Sequence, residues 1–141
     1  MSTSLLYHAF NIAGYVHRRT EYVGREIIFK IEQVAGILRC AGCQCEDVIR
    51  RGSTHRRFRA PGMAFKRVII ELPVQRVECR ECGVVRQVEI RFAAENRRFI
   101  RQFERYALEL SRHMTIKDVA HHEGVNWDVI EDIRRSFPIA Q

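Results

Sequence analysis

Five cysteines stand between positions 40 and 82, and four of them form two pairs of equal spacing, Cys40-Ala-Gly-Cys43 and Cys79-Arg-Glu-Cys82. Two intervening residues let a tight turn aim both sulfurs of a pair at one ion, while turn amides donate to the thiolates and stabilise their charge. Gly42 and Gly83 supply permissive backbone for such turns. Two pairs give four sulfurs, the donor set of a tetrahedral zinc with no open position. A closed site of this kind folds the chain around it and does not catalyse. The competing chemistry is a cluster of buried or redox-active thiols, but a thioredoxin-like site needs one such pair in a βαβ setting, and here two lie among strands. The expected ligands of structural zinc are therefore Cys40, Cys43, Cys79 and Cys82. Cys45 is left over. It either replaces Cys43 or stays free, and Cys43 is preferred because Cys45 would stretch the first pair to CxxxxC.

A second chemistry is electrostatic. The formal net charge is +7 and the pI about 9.6, a balance that favours a polyanionic partner. Residues 1–38 carry four basic and three acidic side chains, residues 39–91 twelve and six, and residues 92–141 eight and eight. Almost the whole excess sits with the cysteines. Within it Arg50, Arg51, His55, Arg56, Arg57, Arg59, Lys66 and Arg67 crowd together, an expected contact for the phosphates of double-stranded DNA.

The third candidate is IKDVAHHEGVNWDVIEDIRR, residues 116–135. A helix-turn-helix needs a small residue where its helices nearly touch, a residue tolerant of positive φ in the turn, and apolar residues after it. Ala120, Gly124, Val125, Ile130 and Ile133 meet those needs in order. Asn126 suits the N-cap of the second helix and Asp128 its first turn. The exposed face of that helix would offer Trp127, Arg134 and Arg135 to DNA, but also Asp128, Glu131 and Asp132, which repel phosphate. Glu123 occupies a position where an apolar residue is commoner.

The elements that must position these groups follow from periodicity. Residues 1–36 predict a helix and a β-hairpin: Tyr15–Tyr22 and Glu26–Glu32 as strands, Gly24 in the turn, with Ile27, Phe29 and Ile31 on one face. Residues 37–92 predict a small β zinc ribbon of short strands, ending at Gly52, at Pro61-Gly62 and at Pro73, with a last strand Val84–Arg91. Its core content looks low, so the metal is expected to staple it. Residues 93–141 predict a three-helix helix-turn-helix unit. Its first helix carries Phe99, Phe103, Tyr106, Ala107 and Leu110 on one stripe, and Pro138 ends the pattern. The expected class is α+β.

Composition excludes other readings. No run approaches the ~18 apolar residues of a membrane helix, and MSTSLLYHAFNIAGYVHRR lacks the basic start of a secretory signal. A barrel-type catalytic fold is too large for 141 residues.

The stretches LLYHAFNIAGY, REIIFKIEQ, LRCAGCQCEDVIRRG, ELPVQRVECRECG and MTIKDVAHHEGVNWDVI resemble the N-terminal half of bacterial insertion-sequence transposases of the ISL-three type. The resemblance implies a zinc ribbon and helix-turn-helix that bind the element's terminal inverted repeats, in the bacterial cytoplasm at the nucleoid. It also implies a following ribonuclease-H-like domain with an Asp/Asp/Glu triad that cuts and joins DNA with magnesium. The sequence reaches Gln141 ahead of such a domain, and Asp118, Asp128 and Asp132 lie on or beside short helices with no βα frame to converge them. The chain is expected to bind and not cut, with duplex DNA, a second copy or a separate catalytic domain as partners. The alternative is a stand-alone regulator or protein-interaction module, which the acidic last helix would permit.

Overall fold

The computed structural model describes residues 5–34, 36 and 38–137; Ala35, Ile37 and Pro138 lie outside them. The architecture is α+β. A helix α1 (Leu5–Phe10) precedes strands β1 (Tyr15–Val23), β2 (Glu26–Gln33), β3 (Val48–Met63), β4 (Lys66–Cys79) and β5 (Val85–Gln87). Helices α2 (Arg101–Leu110), α3 (Ile116–Glu123) and α4 (Trp127–Ser136) follow.

β4 organises the sheet. Val68, Ile70, Leu72 and Val74 alternate along it and are all buried, the signature of a strand with one face on a core. It pairs antiparallel with β3 along nearly its whole length. On its other side its first half pairs in parallel with β2, from Glu26↔Arg67 to Lys30↔Glu71, and its last residues pair with β5, from Glu78↔Val85 to Arg76↔Gln87. The order is β1-β2-β4-β3, with β5 beside the far end of β4. The N-terminal hairpin therefore extends the sheet of the cysteine segment. Ile27, Phe29 and Ile31 are buried in the core as their alternation predicts.

The breaks read from Gly and Pro are not strand ends. β3 runs unbroken through Gly52 and Pro61-Gly62, which it absorbs as irregularities of register between Arg50 and Ser53 and between Ala60 and Met63. Pro73 lies in the gap between Glu71, the last β4 residue paired to β2, and Arg76, the first paired to β5, so on that side no ladder needs its missing N–H. The last strand shortens to Val85–Gln87. Nor is this segment poor in core: Phe58, Ala60, Val68, Ile70, Leu72, Val74 and Val77 are all buried.

One hydrophobic cluster joins sheet and helices, from Leu6 and Phe10 through Phe58 and Phe92 to Phe103, Val119, Ile130 and Ile133. α2 begins at Arg101, two residues later than its stripe suggests, because Arg98–Ile100 run beside β3 instead. Arg59 N–H donates to the Arg98 carbonyl at 2.8 Å and the Arg59 carbonyl accepts from Ile100 N–H at 2.9 Å.

Candidate metal centre and nucleic-acid interface

The β3–β4 hairpin absorbs the 35 residues between the cysteine pairs. Val48 stands opposite Cys79 in its register, so the chain leaving the first knuckle lies beside the chain entering the second. Arg80 closes this junction, its N–H donating to the Asp47 carbonyl at 3.1 Å and its Nε lying 3.2 Å from Asp47 Oδ1. The sulfurs of Cys40, Cys43, Cys79 and Cys82 consequently all lie within 4.8 Å of one another. A tetrahedral zinc with bonds of about 2.3 Å sets its sulfurs about 3.8 Å apart, and the cluster fits that ion. Cys40 and Cys79 are buried, Cys43 and Cys82 exposed. Among the described residues this is the one group of three or more His, Cys, Asp or Glu side chains close enough to share a metal.

The knuckle backbones prepare the sulfurs for charge. Cys82 N–H donates to Cys79 Sγ at 3.3 Å. Main-chain donors from Cys43 and Gly42 lower the Cys40 thiol to about 7, and those of Cys82 and Glu81 lower Cys79. Cys82, hydrogen-bonded to the sulfurs of Cys43 and Cys79, is pushed up to about 12. Four sulfurs at this distance cannot all ionise without a cation between them. Cys45 stands apart: its Sγ accepts from Asp47 N–H at 3.3 Å.

Gly83 has the positive φ of +72° expected of a knuckle turn, but in the first knuckle that conformation belongs to Gln44, at +63°. Arg86 lies against Gly42 of the first knuckle: a Cβ on that glycine would stand 2.6 Å from Nη1, the far end of that flexible side chain. The sequence reading missed this residue, since nothing local ties it to the cysteines.

The helix-turn-helix forms as its spacing predicts. Gly124 caps α3 at φ +66° and ψ +41°, and its N–H bonds back to the helix. Asn126 takes the N-cap position of α4 without a side-chain hydrogen bond, whereas Thr115 caps α3 by accepting from Asp118 N–H at 3.1 Å. Glu123 is buried, and its Oε1 accepts from Gly62 N–H at 3.0 Å. That apparent mismatch in the motif is a clasp between α3 and the β3–β4 hairpin.

The basic run does not form one patch. Strand alternation turns Arg56 toward the core side, over the Phe58 ring and within 3.3 Å of Gln87 Oε1. Arg57 pairs with Glu26 and Glu71, and Arg51 with Glu78. Arg59 is half-buried, lies over the Phe103 ring and donates to the Glu123 carbonyl; burial lowers its pKa from the ordinary arginine range. Arg50, Lys66, Arg67 and Arg134 are exposed and have no ion-pair partner among the described residues. Arg135 pairs with Glu131 at 3.2 Å, and Trp127 is exposed at the start of α4. Lys66 and Arg67 line a cleft of about 330 Å³ against α3, together with Arg25, His121, His122 and Gly124. Arg25 and the two histidines were not singled out from sequence, because the parallel β2–β4 pairing brings the first there and the packing of α3 on the hairpin brings the others.

Comparison with known families agrees with this geometry. Residues 38–82 match the zinc-finger of transposase IS204/IS1001/IS1096/IS1165, and residues 88–135 match the helix-turn-helix domain of transposase family ISL3. No curated protein and no solved structure matches the chain. No helix among the described residues is long and apolar enough to cross a membrane. The four-cysteine cluster lies in the first match and the helix-turn-helix in the second, so the chain carries, in that order, the zinc-ribbon and helix-turn-helix domains found in the DNA-binding half of ISL3-type transposases.

Proposed function

We propose that this chain grips the terminal inverted repeats of a bacterial insertion element, with structural zinc on Cys40, Cys43, Cys79 and Cys82. The observation that carries the reading is the clasp of Arg59 and Gly62 on Glu123. It joins the hairpin bearing Lys66 and Arg67 to the helix-turn-helix that carries Trp127 and Arg134. The exposed Arg50, Arg51, Arg57, Lys66 and Arg67 supply contacts to phosphate, which set affinity and its salt dependence, whereas Arg56 is turned to the core side. Trp127, Arg134 and Arg135 on α4 supply selectivity at base edges.

We assign to this chain binding, and to a separate nuclease domain the cutting and joining of strands. Two inverted ends call for two copies of the module, so a homo-oligomer on DNA in the bacterial cytoplasm completes the proposal. The division into residues 1–36, 37–92 and 93–141 describes units of sequence that share one core.

Fluorescence anisotropy with the zinc-loaded chain tests this, comparing the element's terminal repeat with a shuffled duplex across a salt series. Tighter binding to the repeat and a linear fall of log affinity with log salt are expected. Equal affinity for both duplexes would remove repeat recognition. No binding to either at low salt would favour a protein-interaction role, for which Asp128, Glu131 and Asp132 make the face of α4 suitable.

A further inference from the structure

The tip of the β3–β4 hairpin is chemically unusual. Met63 pairs with Lys66, so the loop is the two residues Ala64-Phe65, and both have positive φ, 52° and 64°. Such a turn normally takes Asn-Gly, because side chains with a Cβ are strained there. Here the strained position holds a phenylalanine that is 90% exposed. Its nearest ring neighbour is His122, at 6.3 Å between centroids. A large apolar side chain held in water on a strained turn contributes nothing to the fold.

The charges around the tip narrow what it meets. The β1–β2 turn lies alongside, held by Arg67 N–H donating to the Arg25 carbonyl at 2.8 Å. Arg25, Lys66 and Arg67 line the cleft beside Phe65, and none has an ion-pair partner among the described residues. The one carboxylate of that cleft is Glu123, which is buried and committed to Gly62. A protruding aromatic ring flanked by unpaired cations fits a duplex whose phosphates the cations hold while the ring enters the base stack. Apolar wedges of this kind unstack one step and kink DNA from the minor groove.

We propose that Phe65 is such a wedge, and that Arg25, Lys66 and Arg67 hold the phosphates on either side of the step it opens. The inference rests on the DNA-binding reading above and adds to it a bend in the DNA, placed beside the helix-turn-helix by the Arg67–Gly124 contact. A Cβ on Gly124 would stand 3.1 Å from Arg67 Nε.

The test uses the zinc-loaded chain and a mixed-sequence duplex, A·T-rich at its centre, with a fluorophore at each end and 2-aminopurine within. Wild type should shorten the end-to-end distance by a kink of at least about 20° and raise 2-aminopurine emission. Phe65→Ala should bind about tenfold more weakly and lose both signals, while Phe65→Leu should keep them. The pair Ala64→Asn with Phe65→Gly should raise the melting temperature, since it suits the turn, and still lose the bend. That variant separates the wedge from damage to the fold. Straight DNA in the wild-type complex, or an unchanged kink with Phe65→Ala, would overturn the wedge and leave DNA binding standing. Absence of any complex would overturn both. A change in the chain's own association on losing Phe65, with DNA geometry unaffected, would assign the ring to a protein contact and overturn the proposal.

Discussion

Arg59 and Glu123 lie 64 residues apart, and the guanidinium of the first donates to the main-chain carbonyl of the second at 2.8 Å. The same arginine holds Arg98 and Ile100 through its own N–H and carbonyl. Arg59 thus ties β3 to the start of α2 and to the end of α3. Arg59→Ala should lower stability by about 1.5–3 kcal/mol, the range for a charge-assisted bond, read by urea unfolding. The folded fraction should keep the wild-type salt slope on DNA; a slope reduced by about one would instead make Arg59 a phosphate contact.

Glu123→Ala leaves the Gly62 N–H without its partner and should cost about 1–3 kcal/mol. Glu123→Gln retains an acceptor at the same place and should cost less. Gly62→Ala should resemble Glu123→Ala, because a Cβ there would lie 3.0 Å from the Lys66 carbonyl and 3.2 Å from Glu123 Oε2. Equal stability of Glu123→Ala and wild type would remove the clasp from the account.

Metal removal should loosen the knuckles and spare the sheet. Phe58, Val68, Ile70 and Leu72 are buried independently of the cysteines, so hydrogen exchange after chelation should lose protection at 40–45 and 79–84 and keep it at 68–72. Cys40→Ser or Cys82→Ser should abolish stoichiometric zinc, measured by elemental analysis, and Cys45→Ser should retain it. Zinc held at full stoichiometry by Cys79→Ser would sink the ligand set.

Gly124→Ala should cost about 1–2 kcal/mol, the penalty for a Cβ in the left-handed region. Gly124→Val should cost more, since its branched side chain also meets Arg67. A melting temperature unchanged in Gly124→Val would be incompatible with a φ of +66° at this position.

Glu104 is buried in α2, and its Oε1 has no hydrogen-bond partner. Burial raises its carboxyl above the ordinary range, against the opposing attraction of Arg97 and Arg101. A carboxyl that holds its proton more tightly when folded favours the fold at low pH, and this contribution is lost as pH rises through the folded value. Glu104→Gln should therefore melt higher than wild type at neutral pH. The gap should close as pH falls toward the ordinary glutamate value of about 4.3. A gap that widens on acidification would reverse the sign and the explanation.

What the sequence determined by itself is local. The cysteine pairs, Gly124 in its turn and the alternation Ile27, Phe29, Ile31 were legible because knuckles, caps and pleats are set by residues within a few positions of each other. Tertiary structure alone decided the rest. Gly52 and Pro61-Gly62 read as strand ends, yet continuous pairing with β4 carried β3 through both. The register of that hairpin put Phe65 in its two-residue turn. Arg56, Arg57 and Arg59 read as one basic patch, but the fold laid Arg56 over Phe58, Arg57 beside Glu71 and Arg59 over Phe103 and against Glu123. Periodicity tells which residues share a face; which distant chain covers that face is settled only by the packing of the whole core.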